Sequence, residues 1–107
     1  MEIIKWLEDW YKLQCDGDWE HDHVINIETL DNPGWIVKIN LKDTELENLE
    51  LMVDDTERSE EDWFHYRIKD SEYFAAGDPN KLLFLLEKFK EIAEMHSKKN
   101  NQFDDGN

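Results

Sequence analysis

At 107 residues, the chain has room for one domain with a single hydrophobic core. Its 27 acidic residues outnumber 12 basic ones, and the formal charge of −15 argues against nucleic acid or an anionic membrane as a direct ligand. Apolar residues make up 39% of the chain and include five Trp and five Phe, a content that excludes a disordered acidic chain.

The expected compartment is the cytoplasm. A single cysteine cannot form an internal disulfide, and the opening segment MEIIKWLEDW lacks the basic head and apolar run of a secretory signal. No apolar stretch approaches the roughly 20 residues that span a bilayer. We therefore expect neither a membrane nor a nucleic acid among the partners.

An amphipathic helix is predicted from Glu2 to Gln14. Its apolar residues occupy one half of a helical wheel at about 100° per residue, and its charged residues occupy the other half. The apolar half comprises Ile3, Ile4, Trp6, Leu7, Trp10, Tyr11 and Leu13. Such an aromatic-rich face is more often core than a ligand site, so we expect it to pack against the rest of the domain.

A loop and a β-hairpin are predicted next. The helix stops at the CDGD run, where Gly17 can adopt positive φ and the aspartates can accept hydrogen bonds from nearby backbone N–H groups. A strand is expected from about Glu20 to Leu30, followed by a turn at the run DNPG. The returning strand, Trp35 to Leu41, alternates cleanly, with Trp35, Val37, Ile39 and Leu41 directed inward.

Three further strands are predicted on either side of an acidic loop. They cover Glu47 to about Asp54, Trp63 to Lys69 and Glu72 to Ala76, and the loop runs from Asp55 to Asp62. In the strand after the loop, alternation directs Phe64, Tyr66 and Ile68 to the core.

A second helix is predicted after Asp78-Pro79, with Asp78 as the N-cap and Pro79 in the first helical position. Leu82, Leu83, Leu85, Leu86, Phe89, Ile92 and Ala93 line one face, whereas Phe84 and Met95 fall on the opposite, charged face. We expect one domain over residues 1–97 and a frayed polar tail over 98–107.

These elements predict an α+β fold. We expect an antiparallel meander of four to five strands, flanked by an N-terminal and a C-terminal helix that pack on one face. The opposite face would then be open. Its expected residues are Asn26, Glu28, Lys38, Asn40, Glu50, Met52, Trp63, His65 and Arg67.

Three runs carry a family resemblance: WLEDWYKLQCDGDWEH, IETLDNPGW and AAGDPNKL. They resemble the immunity protein 53 family of bacterial toxin–immunity systems, and the likeness extends from Trp6 to about Ile92. The resemblance implies a protein that binds and neutralises a cognate toxin domain, with no catalysis of its own.

Cys15 is the natural candidate for a nucleophile, but its surroundings argue against that role. A reactive thiolate needs a helix N-terminus or nearby cations, whereas Cys15 follows a predicted helix C-terminus and precedes Asp16 and Asp18. Cys15, His21 and His23 match no zinc spacing, and the DGD run lacks the continuation of a calcium loop. We therefore expect no catalytic residue, no metal and no cofactor.

The expected partner is the toxin domain, bound by a monomer or a weak homodimer. Acidic blocks would speed association with a basic toxin, and a nuclease is the natural candidate because nuclease surfaces are basic. The residues expected to contact it are Asp16, Asp18, Trp19, Asp54, Asp55, Glu57, Glu60, Glu61, Asp62, Trp63, His65 and Arg67. Two other classes stay open: an acidic interaction module or nucleic-acid mimic unrelated to immunity, and a small thiol- or metal-dependent enzyme.

Overall fold

A computed structural model describes residues 2–105, without the side chains of 53–55 and 97–105, and shows a five-stranded antiparallel sheet with two long helices. This confirms the α+β class. The elements are α1 (Glu2–Gln14), α2 (Trp19–Asp22), β1 (Ile25–Leu30), β2 (Gly34–Asn40), β3 (Leu51–Ser59), β4 (Asp62–Lys69), β5 (Glu72–Gly77) and α3 (Leu82–Asp105). No helix in this described part combines the length and apolarity that a membrane span requires.

The strand order in the sheet is β1-β2-β5-β4-β3. The sheet is thus a hairpin, β1–β2, joined to the meander β3–β4–β5 through antiparallel pairing of β2 with β5. A simple meander would have placed β3 beside β2. The last strand suits the centre because it carries apolar residues on both faces, Tyr73 and Ala75 on one and Phe74 and Ala76 on the other.

The core lies between one face of the sheet and the helices α1 and α3. The inward directions predicted for β2 and β4 are confirmed: Val37, Ile39 and Ile68 are fully buried. Trp6 and Trp10 of α1 meet Phe89 of α3 edge-on, with ring centroids 5.9 and 5.0 Å apart. The buried core residues are Ile3, Val37, Ile39, Leu41, Leu46, Ile68, Tyr73, Ala75, Leu85, Leu86, Phe89 and Ala93.

Helix α1 has the predicted bounds, but part of its apolar half is exposed. Ile4, Tyr11 and Leu13 expose 46%, 38% and 80% of their surface. The expectation that the whole apolar half packs inside is therefore wrong for these three residues, because the sheet and α3 cover only the middle of that face.

The strand predicted from Glu20 begins only at Ile25, because Trp19–Asp22 form the short helix α2. Asp16 Oδ1 accepts hydrogen bonds from the backbone N–H groups of Asp18 and Trp19, at 3.0 and 2.9 Å. The Glu20 carboxylate reaches back to the N–H of Asp16 at 3.1 Å. These reciprocal bonds satisfy the donors at a helix start and outweigh the strand tendency.

The segment predicted as an acidic loop is mostly strand. β3 runs over Leu51–Ser59, later than predicted, and a two-residue turn at Glu60 and Glu61 leads into β4. Pairing with β4 supplies backbone hydrogen bonds that no loop would offer, and two register shifts accommodate the irregular stretch. The predicted strand start at Glu47 lies in turns instead.

Helix α3 begins at Leu82 rather than at Pro79. Asp78 is fully buried and bonds to β4 as well as to the turn that precedes the helix, so it is not a simple N-cap. Phe84, predicted on the charged face, packs on Phe64 with ring centroids 4.5 Å apart.

Two predictions concern the C-terminal end of α3. Met95 is 63% exposed, in keeping with its predicted position on the charged face. The frayed tail expected over 98–107 falls on residues outside the described side chains and stays a prediction.

Candidate partner-binding surface

The sheet face that points away from the helices carries five side chains which we call the aromatic–cation cluster: Lys38, Trp63, His65, Arg67 and Phe74. They come from the three central strands, where each alternates with a core residue. Phe74 of β5 pairs in register with Lys38 on one side and Arg67 on the other. All five are partly exposed.

Phe74 is the centre of the cluster. The guanidinium carbon of Arg67 lies 4.5 Å from the centroid of its ring, and Lys38 Nζ lies 5.9 Å from it. The His65 ring stacks on the same ring at 5.9 Å with 12° between planes, and Trp63 adjoins His65 at 6.4 Å. Contacts of this kind between rings and cations restrict the side chains. Little conformational entropy therefore remains to be lost when a partner binds.

Trp63 is positioned by its backbone hydrogen bonds and by the lack of a side chain at Gly34. Its N–H donates to Asp78 Oδ2 at 2.9 Å, and its carbonyl accepts the N–H of Asp78 at 3.1 Å. A Cβ on Gly34 would lie 3.2 Å from Trp63 Cζ2 and would overlap the carbonyl oxygen of Gly77. Gly34 therefore leaves room for the indole at this edge of the cluster.

A partly buried ion-pair network adjoins the backbone of Trp63. Lys81 Nζ is 2.6 Å from Asp78 Oδ2 and 2.8 Å from Asp62 Oδ1. Burial by itself raises the pKa of Asp78, but the hydrogen bonds from Lys81, Trp63 and Asn80 outweigh it and the pKa is lowered. The contacts with both carboxylates raise the pKa of Lys81.

Asp62 belongs to this network more than to a partner surface. Lys81, and then Arg58 at 3.3 Å, lower the pKa of its carboxyl. Its expected role in partner contact is thus competing with two internal ion pairs. The network instead fixes the turn end of the β3–β4 hairpin to Lys81, the residue before α3.

Glu57, Glu60 and Glu61 form the acidic tip of the β3–β4 hairpin, and all three are exposed. Glu57 and Glu60 line an open pocket together with Trp63 and His65. The fold thus brings the predicted acidic and aromatic site residues to one surface. The side chains of Asp54 and Asp55, which were predicted to share it, lie outside the described residues.

The loop from Asp16 to Trp19 belongs neither to the aromatic–cation cluster nor to the acidic tip, and its hydrogen bonds stabilise the fold. Trp19 is only 3% exposed, and its Nε1–H donates to the carbonyl of Lys42 at 2.8 Å. These contacts give Trp19 a structural role, and its contact with a partner stays a prediction. Hydrogen bonds from the N–H groups of Trp19 and Asp18 lower the pKa of Asp16, whose carboxylate starts α2, while the Asp18 carboxylate makes no cap bond.

Cys15 and His23, which were considered as a nucleophile and as a metal ligand, make contacts within the fold beside this loop. Cys15 Sγ donates to the carbonyl of Tyr11 at 3.3 Å. His23 stacks on Trp19 at 5.3 Å, and its Nδ1 lies 2.8 Å from the Trp19 carbonyl. Within residues 2–105, no three His, Cys, Asp or Glu side chains whose positions are described converge as metal ligands.

Sequence reasoning missed Phe74 and did not include Lys38 in the site. The strand over Glu72 to Ala76 was expected, but its neighbours were not known, so nothing indicated that Phe74 would lie between two cations. The signal was present in strand parity, because a strand that directs Tyr73 inward directs Phe74 outward.

A family model described as Immunity protein 53 matches residues 4–94 of the chain. The matched segment contains all five strands, and with them the whole aromatic–cation cluster. No curated protein and no solved structure gives a significant match.

Proposed function

The chain belongs to the immunity protein 53 family, and on this basis we propose that it binds a cognate bacterial toxin domain and neutralises it by occlusion. The family match over residues 4–94 is the observation that carries the proposal. The interface would be the aromatic–cation cluster with the acidic tip beside it.

The cluster has the composition of an interface centre. Trp and Arg are the residues most enriched among those that dominate binding energy, and here both adjoin further rings. Trp63, His65 and Arg67 are half-buried, so a partner that covers them removes the remaining apolar surface from water without reordering long side chains.

The acidic tip indicates the charge of the partner. Among the described ion pairs none involves Glu57, Glu60 or Glu61, so their charge is available for long-range attraction. A toxin with a basic surface would be drawn to this end of the sheet and then docked on the cluster. A nuclease domain, which must itself attract nucleic acid, has such a surface.

The test is co-production of this protein with the toxin domain encoded beside its gene. We expect restored growth and a stable complex, and we expect Trp63→Ala to weaken binding by about ten-fold or more while the protein stays folded. Met95→Ala is a matched control, because Met95 is a 63% exposed apolar residue of α3, on the opposite side of the sheet from the cluster. Absence of any complex with that toxin contradicts the proposed function.

A further inference from the structure

The strand β1 forms one edge of the sheet and leaves a row of backbone groups without strand partners. The N–H of Asn40 donates to the carbonyl of Val24 at 3.2 Å, so in this antiparallel pair the even-numbered residues face β2. The N–H and C=O groups of Ile25, Ile27 and Thr29 consequently point outward along the free edge. Such a row is a template for one more strand.

The two edges of the sheet differ in how they are protected. At the other edge, β3 has two register shifts and carries charged residues such as Glu57 and Arg58. By contrast, β1 pairs with β2 in regular register over its whole length, and its sequence INIETL contains no Pro, Lys or Arg. Natural edges that must stay unpaired usually have several such blocking features, whereas the one charged side chain of β1 is Glu28.

An exposed apolar groove lies beside this free edge, between α1 and β1. It is lined by Ile4, Leu7, Glu8, Tyr11, Glu20, His23, Val24, Ile25 and Ile27. Ile4, Val24 and Ile27 expose 46%, 54% and 41% of their surface. Apolar side chains of an added strand would therefore find apolar contacts next to the free backbone groups.

The charges around the groove select its occupant. Residues 15–34 carry six acidic residues and no Lys or Arg, and the charged residues in the groove itself are Glu8 and Glu20. A second copy of this chain would bring the same acids, and a further charge of −15, against them. A basic segment would be attracted instead.

We propose that the β1 edge groove takes an extended segment of the toxin, with alternating apolar residues and Lys or Arg at its ends, as a sixth strand. This mode of recognition combines backbone hydrogen bonds for affinity with side-chain pockets for specificity. The inference rests on the proposed function, since the toxin supplies the segment. It adds a second contact surface, at the β1 edge beside α1, which is distinct from the aromatic–cation cluster on the open face.

The experiment is hydrogen exchange on the complex of this protein with the toxin domain encoded beside its gene. We expect the amides of Ile25, Ile27 and Thr29 to exchange more slowly in the complex than in the free protein. This measurement needs no variant, so it does not depend on how substitutions affect folding.

Two variants test the same surface by affinity. Thr29→Pro removes an outward N–H that an edge strand does not need for its own pairing, and Ile27→Asp places a charge in the groove. We expect each to raise Kd by about ten-fold or more. Leu13→Asp, at an 80% exposed apolar residue of α1 outside the groove, should leave Kd within about two-fold.

The outcomes separate the two proposals. A complex that forms with unchanged β1 exchange, and that tolerates both variants, overturns the edge inference and leaves the proposed function standing. If no complex forms, both fail. Slow exchange of the same amides in the free protein, together with concentration-dependent self-association, would show that a second copy occupies the edge and would also overturn the inference.

Discussion

Asp78 carries a fully buried carboxylate, and its oxygens accept hydrogen bonds from Trp63 N–H, Asn80 N–H and Lys81 Nζ. One residue thus ties together β4, the turn after β5 and Lys81, the residue before α3. Removing one partner of a buried ion pair leaves the other without compensation, which is costly. The position of Trp63, and with it one end of the aromatic–cation cluster, depends on this carboxylate.

We predict that Asp78→Asn lowers the free energy of unfolding by about 2 kcal/mol at pH 7, because it removes charge-assisted hydrogen bonds. The pKa values of Asp78 and Asp62 are lowered in the folded state, so the stability they contribute is present above the unfolded pKa of about 4 and is lost as the pH falls through the folded values. The gap between parent and variant should stay constant from pH 7 to about 5 and shrink below about 4. Urea unfolding across this range measures it, and a gap that persists at low pH contradicts the assignment.

Trp35 and Trp63 provide a matched pair at the residue scale. Trp35 packs against the core, and its Nε1–H donates to the carbonyl of Pro79 at 3.0 Å, whereas Trp63 lies on the open sheet face. We predict that Trp35→Ala costs on the order of 3 kcal/mol of stability and that Trp63→Ala costs much less. Thermal melts of the two variants check this, and equal losses would mean that the two side chains contribute alike to the fold.

Cys15 is predicted to be replaceable. The Ser hydroxyl can donate to the Tyr11 carbonyl as the thiol does at 3.3 Å, and neither group is needed for toxin binding in the proposed mechanism. Cys15→Ser should therefore keep the melting temperature and the protection against the toxin. Loss of protection with an intact fold would return thiol chemistry to consideration.

At the scale of elements, the sequence predicts those parts in which hydrophobic periodicity and fold agree. Helix α1 and strand β2 have clear periods of 3.6 and 2. The core residues of β2 were predicted correctly, and so were the bounds of α1, although only the middle of its apolar half is buried. Helix α2 was not predicted, because hydrogen bonds that the Asp16 and Glu20 carboxylates accept from backbone N–H groups override the strand tendency there. Local chemistry of this kind does not appear in an apolar pattern.

The order of the strands in the sheet was not predicted, because strand pairing depends on contacts between residues that are distant in the chain. The turn between β4 and β5 uses Asp70 and Ser71, both with positive φ, at 53° and 62°. A turn of this kind usually contains Asn-Gly, but the strands predicted to end at Lys69 and to start at Glu72 already left only these two residues between them. The pairing of β5 with β2 was not predicted. That turn brings β5 back beside β4 and on to β2, which assembles the aromatic–cation cluster from three strands.

For the molecule as a whole, the excess of acidic residues is distributed unevenly around the sheet. The acidic tip lies at the far end of the β3–β4 hairpin, while Lys38 and Arg67 lie at the centre of the open face. The predicted strand parity was correct in placing Trp63, His65 and Arg67 on one face of the sheet. The burial of Trp19 was not predicted, since burial of a loop residue depends on packing that no local pattern reveals.

This distribution leads to a prediction about association with the toxin. The substitutions Glu57→Lys, Glu60→Lys and Glu61→Lys reverse the charge of the acidic tip. All three side chains are exposed, and the substitutions do not change the Asp62–Lys81 ion pair. Thermal stability should be unchanged or slightly higher, because the substitutions relieve repulsion within an acidic chain. Association with a basic toxin should slow by roughly ten-fold or more at low salt, and the difference should shrink as the salt rises beyond about 0.15 M.

The control separates a local effect from the effect of net charge. Glu2→Lys, Glu45→Lys and Glu87→Lys change the net charge by the same amount at exposed positions outside the acidic tip. Steering by the tip requires that the control variant associates faster than the tip variant at every low-salt point, because the field near the docking surface falls off within a Debye length of about 10 Å at 0.1 M salt. Stopped-flow association rates over a salt series provide the measurement. If the tip variant and the parent associate equally fast at every salt concentration, the acidic hairpin is ordinary solvated surface, and recognition depends on the aromatic–cation cluster and the β1 edge alone.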